Sequence, residues 1–179
     1  MDQQLDPPAR QLAHHEVPRP ATGPPRRLRL LCPGWRDPRN VGAAFRLADA
    51  AGVAELLLSD GSPRPPNAKL RRTARSTEGW VPWRAVPRAT DWLRERRAAG
   101  DHIIGLEITD RSVPLFDYRP PAPAVPLVLV AGAEDRGIAP EVLALCHATV
   151  HLPMYGRNSS LNVTVALGAA VYGLLGREL

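Results

Sequence analysis

The chain has 179 residues, 44% of them hydrophobic, which is enough to bury the core of one domain. It has no uncharged apolar run of about 18 residues, and its start is polar and rich in proline, so the sequence predicts a soluble, cytoplasmic protein without a membrane span. The net charge of +5 is uneven: residues 1–100 carry 18 basic and 10 acidic side chains, whereas residues 101–179 carry 5 and 8. The positive first half favours a partner rich in phosphate, such as RNA.

Metal, disulfide and dinucleotide chemistry are not indicated. Cys32 and Cys146 are too few and too isolated for a metal quartet, and His14 and His15 have no partner at a metal-binding spacing. No GxGxxG follows a strand and no GxxxxGK[ST] loop occurs, which disfavours nicotinamide-dependent enzymes and nucleotide hydrolases. We therefore expect no bound metal.

The first part of the chain predicts a short unstructured segment followed by a parallel unit. Residues 1–26 contain six prolines and little apolar periodicity, and we expect a flexible arm ahead of a domain formed by residues 27–179. The apolar run at 28–32 predicts a strand, and apolar residues recur at helical spacing over 40–51. With a second apolar run at 56–58, this order predicts a parallel strand–helix–strand unit.

The remaining segments continue the alternation of helices and strands. Helices are predicted over residues 67–75, 90–99, 140–146 and 161–175, and strands over 83–86, 102–107, 126–131 and, at an edge or closing position, 149–152. The fold class is therefore α/β, with an open, mainly parallel sheet. Ligands of such sheets bind at the carboxyl ends of the strands.

Three motifs carry the chemical information. Residues 158–166 (NSSLNVTVA) place polar side chains at the mouth of an apolar helix, where they either cap the helix or hold a ligand. Residues 40–52 (NVGAAFRLADAAG) and 132–137 (GAEDRG) precede this motif. Together, in this order, the three motifs resemble those of the SpoU (TrmH) family of RNA ribose 2′-O-methyltransferases, and the resemblance extends over residues 28–179.

The resemblance implies a fold and a cofactor. The fold is a Rossmann-like sheet whose C-terminal segment is threaded into a deep trefoil knot, and the cofactor is S-adenosyl-L-methionine. The resemblance places the cofactor against Leu106, Gly132, Leu152, Met154 and Leu161. The residue types are suitable, because glycine allows a ligand to approach the backbone and leucine offers an apolar slot for an adenine ring, although Leu152 and Leu161 also suit a packed core.

The same resemblance implies catalytic positions. It places Arg46 beside the ribose 2′-hydroxyl and lines the pocket with Asn40, Glu134, Ser160 and Asn162. A guanidinium with a pKa above about 12 is a poor proton acceptor, so Arg46 is better suited to orient the nucleotide and stabilise the developing alkoxide, and the base stays open. From the sequence alone, Arg46 pairing with Asp49 and Glu134 acting as an ordinary loop carboxylate are alternatives.

The choice of RNA rests on fewer residues. Arg71, Arg72 and Arg75 are predicted to bind RNA, and Trp80 and Trp83 are either part of that surface or core residues. The compact domain and residues 76–80 favour tRNA as substrate, with ribosomal RNA second.

Two further expectations follow. Family members commonly have Gly-Asn-Glu where this chain has Gly132, Ala133 and Glu134, which puts cofactor affinity in question and leaves a non-catalytic RNA-binding or assembly factor with the same knotted fold as the alternative. The helix predicted over 161–175 is apolar on every face, and the resemblance implies dimers, so we expect a homodimer with this helix in the interface.

Overall fold

A computed structural model describes Pro24 and residues 27–176, and the predicted flexible arm lies almost entirely outside this range. The described strands are β1 Leu28–Pro33, β2 Glu55–Ser59, β3 Trp83–Val86, β4 His102–Leu106, β5 Val113–Pro114, β6 Leu127–Ala131 and β7 Ala148–His151. The described helices are α1 Pro38–Ala51, α2 Ala68–Ala74, α3 Ala89–Ala98, α4 Pro140–Leu143 and α5 Val163–Leu175, with a 3-10 turn at Thr77–Gly79. None of these helices is long and apolar enough to cross a membrane.

The strands form one seven-stranded sheet in the order β3-β2-β1-β6-β4-β7-β5. Every strand pair is parallel, which confirms the predicted class. The edge position expected for residues 149–152 is wrong, because the two-residue strand β5 pairs outside β7. The sequence gives no sign of β5, since two residues are too short for a periodic pattern.

Side chains alternate between the two faces of the sheet, and each face is covered by helices. Leu30, Leu56 and Leu129 share one core with α1, α2 and α5. Leu31 and Leu57 share the other core with α3 and α4. This arrangement leaves the carboxyl edge of the sheet free for a site.

Two helices begin two residues away from the predicted start, whereas the others begin within one residue of it. α1 begins at Pro38 instead of Asn40, because Asp37 caps it and proline suits the first helical position. α5 begins at Val163 instead of Leu161, with the Asn162 side chain accepting from the backbone N–H of Thr164 at 2.9 Å. After both corrections a polar residue of a predicted motif lies at the helix start: Asn40 in the first turn of α1 and Asn162 at the cap of α5.

The helices α1 and α2 pack closely. Gly42 lies on the buried face of α1, and a Cβ there would clash with the Thr73 hydroxyl and the Leu70 carbonyl of α2. The absence of a side chain therefore lets the second helix lie against the first. This contact fixes the basic residues of α2 relative to α1.

Candidate active site

The turn of residues 132–137 follows β6 and is held by its own backbone. Ala133 and Gly137 exchange two hydrogen bonds, with N···O distances of 3.1 and 2.8 Å. A Cβ on Gly132 would clash with the backbone of Gly137. Gly137 has a φ of +64°, and a Cβ on it would also clash with the Glu107 carboxylate. Both glycines are thus required by geometry, and the turn presents Glu134 at the carboxyl edge of the sheet.

Glu107 braces this turn from the end of β4. Its carboxylate accepts from the backbone N–H of Ile138 at 2.9 Å and from that of Ile108 at 3.0 Å. No role for Glu107 is predicted from the sequence. The signal available was its position directly after a buried strand, at the edge where ligands of parallel sheets bind.

A chain of hydrogen bonds joins the three motifs. Asn40 Nδ2 donates to Glu134 Oε1 at 2.6 Å, and Asn162 Nδ2 donates to Asn40 Oδ1 at 3.4 Å. The second carboxylate oxygen of Glu134 accepts from the backbone N–H of Arg36 at 3.4 Å. Asn162 also caps α5, so the alternatives of capping and contact with the site both apply to it. Three segments far apart in sequence therefore meet at one point.

A pocket of about 300 Å³ lies beside this chain of hydrogen bonds. All five predicted cofactor residues line it, namely Leu106, Gly132, Leu152, Met154 and Leu161. Three of the predicted catalytic residues line it as well, namely Glu134, Ser160 and Asn162. Its walls combine leucine and methionine side chains with the carboxylates of Glu107, Glu134 and Asp135, which suits a ligand that has an apolar ring and a positive charge.

Arg46 is not brought to this pocket within one chain. It lies on an exposed side of α1 and is not among the residues that line the pocket. The alternative that it pairs with Asp49 is wrong, because within the described residues Arg46 has no ion pair. Asp49 instead accepts from the indole N–H of Trp80 at 2.8 Å.

The predicted RNA-binding arginines lie on a surface that we name the α2 basic surface, formed by Lys69, Arg71, Arg72 and Arg75. All four are exposed, and none forms an ion pair with another described residue. The two tryptophans separate: Trp83 is partly buried against Phe45, at 6.0 Å between ring centroids, whereas Trp80 is 60% exposed. The core alternative is confirmed for Trp83 only.

A wider cleft of about 770 Å³ lies on the other side of the 132–137 turn. Its basic residues are Arg36 and Arg136, which share Asp135, and Arg88 and Arg94, which share Asp91. None of the predicted site residues lines it, and its arginines have acidic partners. We therefore assign the candidate site to the smaller pocket, where the three motifs meet.

The cysteines do not provide reactive thiolates. Burial raises the pKa of the Cys32 thiol far above its ordinary value and that of Cys146 to about 12. Among residues 27–176, no group of histidine, cysteine and acidic residues is arranged to hold a metal. The chemistry of this edge therefore rests on the carboxylates, amides and hydroxyls described above.

Comparisons with known proteins give a consistent result. A family model described as the SpoU rRNA Methylase family matches residues 27–172. RlmB of Pseudomonas aeruginosa, a 23S rRNA (guanosine-2′-O-)-methyltransferase, is 33% identical over 149 residues, which are 83% of this chain and 58% of the relative. RlmP of Bacillus subtilis, a 23S rRNA (guanosine(2553)-2′-O)-methyltransferase, is 31% identical over 149 residues, which are 82% of this chain and 57% of the relative.

The fold has relatives among solved structures. The AdoMet-bound rRNA methyltransferase from Sinorhizobium meliloti superposes with a TM-score of 0.79 at 26% identity, covering 86% of this chain and 57% of that one. The chain thus spans somewhat less than two thirds of the length of the curated relatives that it matches.

Proposed function

Because the chain belongs to the SpoU rRNA methylase family, we propose that it methylates a ribose 2′-hydroxyl of RNA with S-adenosyl-L-methionine as methyl donor. The observation that carries the proposal is the hydrogen-bonded contact of Glu134, Asn40 and Asn162 at the edge of the pocket. This contact unites the three motifs on which the family resemblance rests. Predicted cofactor and catalytic residues line the same pocket.

The pocket fits the cofactor. Leu106, Leu152 and Leu161 offer apolar contact for the adenine ring, and Gly132 lines the same wall. The carboxylates of Glu107 and Glu134, which have no ion pair with a described residue, favour positive charge at the same place. When bound, S-adenosyl-L-methionine supplies a methyl group on a positively charged sulfur.

The residues beside the pocket orient and activate the ribose. Asn40 fixes one oxygen of Glu134. We place the 2′-hydroxyl beside Ser160 and Asn162, whose polar side chains line the pocket. Methylation would form the O–CH₃ bond and break the S–CH₃ bond of the donor, and the hydroxyl proton must leave. Negative charge develops on the 2′-oxygen as that proton leaves. We assign the stabilisation of that charge to Arg46 and leave the proton acceptor open.

A homodimer is part of the proposal. α5 exposes Val165 (58%) and Tyr172 (54%) on the side away from its buried residues, and an exposed apolar helix face favours a partner. Active sites near a shared interface also explain how Arg46 could act, although it lies outside the pocket lining of its own chain. Light scattering should give twice the 19.5 kDa mass of one chain, and a monomer at micromolar concentration would contradict this.

The deep trefoil knot implied by the resemblance also remains a proposal. Its support is topological: β7 lies between β4 and β5, two earlier strands joined by a short segment, and the chain then crosses the pocket before α5. The pocket walls are formed by residues 106–108, 131–135, 137, 151, 152, 154 and 160–163, as expected if the last segment passes through a loop made by the others.

Ribosomal RNA is the substrate that we propose. The sequence favoured tRNA, but both curated relatives described above are named for 23S rRNA, and no described residue argues for tRNA over rRNA. The non-catalytic alternative is not favoured. Ala133 contributes its backbone N–H and carbonyl to the turn, which an asparagine would do equally, so the substitution leaves the turn formed.

The test has two stages. Calorimetric titration with S-adenosyl-L-methionine should show binding, and absence of binding would favour the non-catalytic alternative. Nucleoside mass spectrometry should then find a 2′-O-methylated nucleoside in 23S rRNA, and not in tRNA, after incubation with the protein and cofactor. Methylation of tRNA alone would retain the reaction and refute the substrate.

A further inference from the structure

Trp80 is an exposed aromatic side chain held in a fixed position. It follows the 3-10 turn Thr77–Gly79, whose buried Thr77 donates from its hydroxyl to the Ala74 carbonyl at 2.7 Å. The indole N–H of Trp80 donates to Asp49 Oδ1 on α1 at 2.8 Å, yet 60% of the residue is exposed. One edge of the ring is thus attached to the domain, and much of its surface faces solvent.

The core does not require this tryptophan. Trp35 and Trp92 are buried, and Trp83 packs against Phe45 in the core on the α1 side of the sheet. Trp80 alone among the four tryptophans exposes most of its surface. An exposed tryptophan held by a hydrogen bond at its edge is well suited to contact a flat ligand.

The exposed cations on α2 and α1 outnumber the two carboxylates next to Trp80, those of Asp49 and Glu78, and favour an anionic ligand. The α2 basic surface ends at Arg75, five residues before Trp80, and α1 carries Arg46 one turn before Asp49. No described residue forms an ion pair with these side chains, so their charge is available to a ligand. An apolar protein partner would have to desolvate these cations, whereas a nucleic-acid backbone neutralises them.

We propose that Trp80 is a stacking site for an unpaired base of RNA, with the phosphates on either side of that base held by the α2 basic surface. The inference rests on the proposed function for its choice of RNA as ligand. It adds a position at which the protein contacts RNA outside the three motifs. Bases stack on aromatic side chains regardless of their identity, so this site contributes affinity and places the strand without reading its sequence.

Binding of a single-stranded oligoadenylate of about ten nucleotides, a length within the range of single-strand sites, tests the stacking. Trp80→Ala should weaken it roughly 5- to 100-fold, the range for loss of one stacked base, and Trp80→Phe should weaken it less because a ring remains. Phe116→Ala removes another exposed aromatic side chain, near the opposite edge of the sheet, and should leave binding unchanged.

Heparin separates stacking from charge, because it is a polyanion without bases. Trp80→Ala should bind heparin as well as the wild type does, whereas Arg71→Ala should bind both heparin and oligoadenylate more weakly. Oligoadenylate should also quench tryptophan fluorescence in the wild type and in Trp83→Phe, and the quenching should be lost in Trp80→Phe.

Three results would overturn the proposal. The first is unchanged oligoadenylate affinity in Trp80→Ala, and the second is an equal loss of heparin affinity, which would indicate a general disturbance of the surface. The third is a change of molecular mass in Trp80→Ala, which would make the tryptophan a contact between protomers. None of these measurements requires methyl transfer, so failure to bind cofactor or to methylate RNA would refute the proposed function and leave the stacking result standing.

Discussion

The pocket beside the 132–137 turn is shaped by backbone, whereas the α2 basic surface is formed by long side chains that end in solvent. At the turn, Gly132 and Gly137 have no room for a Cβ, and Glu107 holds backbone N–H groups from outside. On α2, four cations project from one short helix without acidic partners among the described residues. The buried side chains of Leu70 and Ala74 and the close approach at Gly42 fix that helix to the domain, while its cations face solvent.

The two regions differ in construction because they are proposed to bind different ligands, a small cofactor at the turn and RNA on α2. A cofactor of fixed shape demands atomic positions that do not vary, and close backbone contacts provide them at the turn. A long RNA demands attraction over a wide area, which charge provides with little need for exact geometry. Substitutions at the turn should therefore lower cofactor affinity, whereas substitutions on the α2 basic surface should lower RNA affinity.

The largest effect should come from Arg46→Ala, which tests whether the two regions meet. We expect methyl transfer to fall by about 10²- to 10³-fold, as for loss of a group that stabilises developing charge, with cofactor affinity nearly unchanged. Single-turnover rates and calorimetry measure the two quantities. Wild-type turnover by Arg46→Ala on an RNA that the wild type methylates would remove Arg46 from the mechanism.

Gly132→Ala should have the next largest effect, confined to the backbone-shaped region. The added Cβ meets the backbone of Gly137, and relieving such a clash costs roughly 1–3 kcal/mol, so cofactor affinity should fall about 5- to 100-fold. Gly156→Ala is the matched control, because a Cβ there meets nothing within 4 Å. Equal affinities for the two variants, measured by calorimetry, would mean that the turn adjusts easily.

Single alanine substitutions of Arg71, Arg72 and Arg75 should have a smaller effect, confined to the region built on charge. Each should weaken RNA binding a few-fold at moderate salt and lower the slope of log affinity against log salt by about 1, while cofactor affinity is unaffected. Arg119→Ala, which removes an exposed arginine near the opposite edge of the sheet, should leave the slope unchanged. An unchanged slope in all three α2 variants would show that RNA binds elsewhere.

The smallest effect concerns His147, which directly precedes β7 and belongs to neither region. It therefore serves as a reference for the effects expected in both. Partial burial, with Arg97 acting in the same direction, lowers the pKa of His147, whose Nδ1 accepts from the Ile103 N–H at 3.0 Å. At acidic pH the native state therefore binds fewer protons than the unfolded state. The contribution of His147 to the free energy of unfolding is fully present above its ordinary pKa of 6.5. It is lost as the pH falls from there through the lowered pKa of the folded state.

Urea unfolding at about pH 7.5 and pH 5.5 measures this linkage. The wild type should lose under about 1 kcal/mol more than His147→Asn on acidification, because a partly exposed ring is only partly desolvated. An equal or greater loss in the variant would contradict the assignment.

The sequence predicted much of the fold because the buried strands are continuous apolar runs and α1 has a clear helical period. The family resemblance, and not periodicity, gave eight residues that line one pocket, whereas Asn40 and Arg46 do not line it. It did not predict that Trp80 holds Asp49, because Asp49 lies three residues from Arg46 and local spacing favours that ion pair. Glu107 was missed for a similar reason: its partner Ile138 is 31 residues away, and no periodicity reports such a contact.

The position of β7 between β4 and β5 has a consequence for biosynthesis. β1, β2 and β3 can pair as they emerge from the ribosome, but β5 has only β7 as a partner among the described strands and can join no sheet until residues 148–151 have been made. The pocket wall formed by Leu152, Met154 and residues 160–163 follows later still. A nascent chain that already contains the first two motifs therefore has no cofactor site, and the protein becomes able to act only when this last wall is in place.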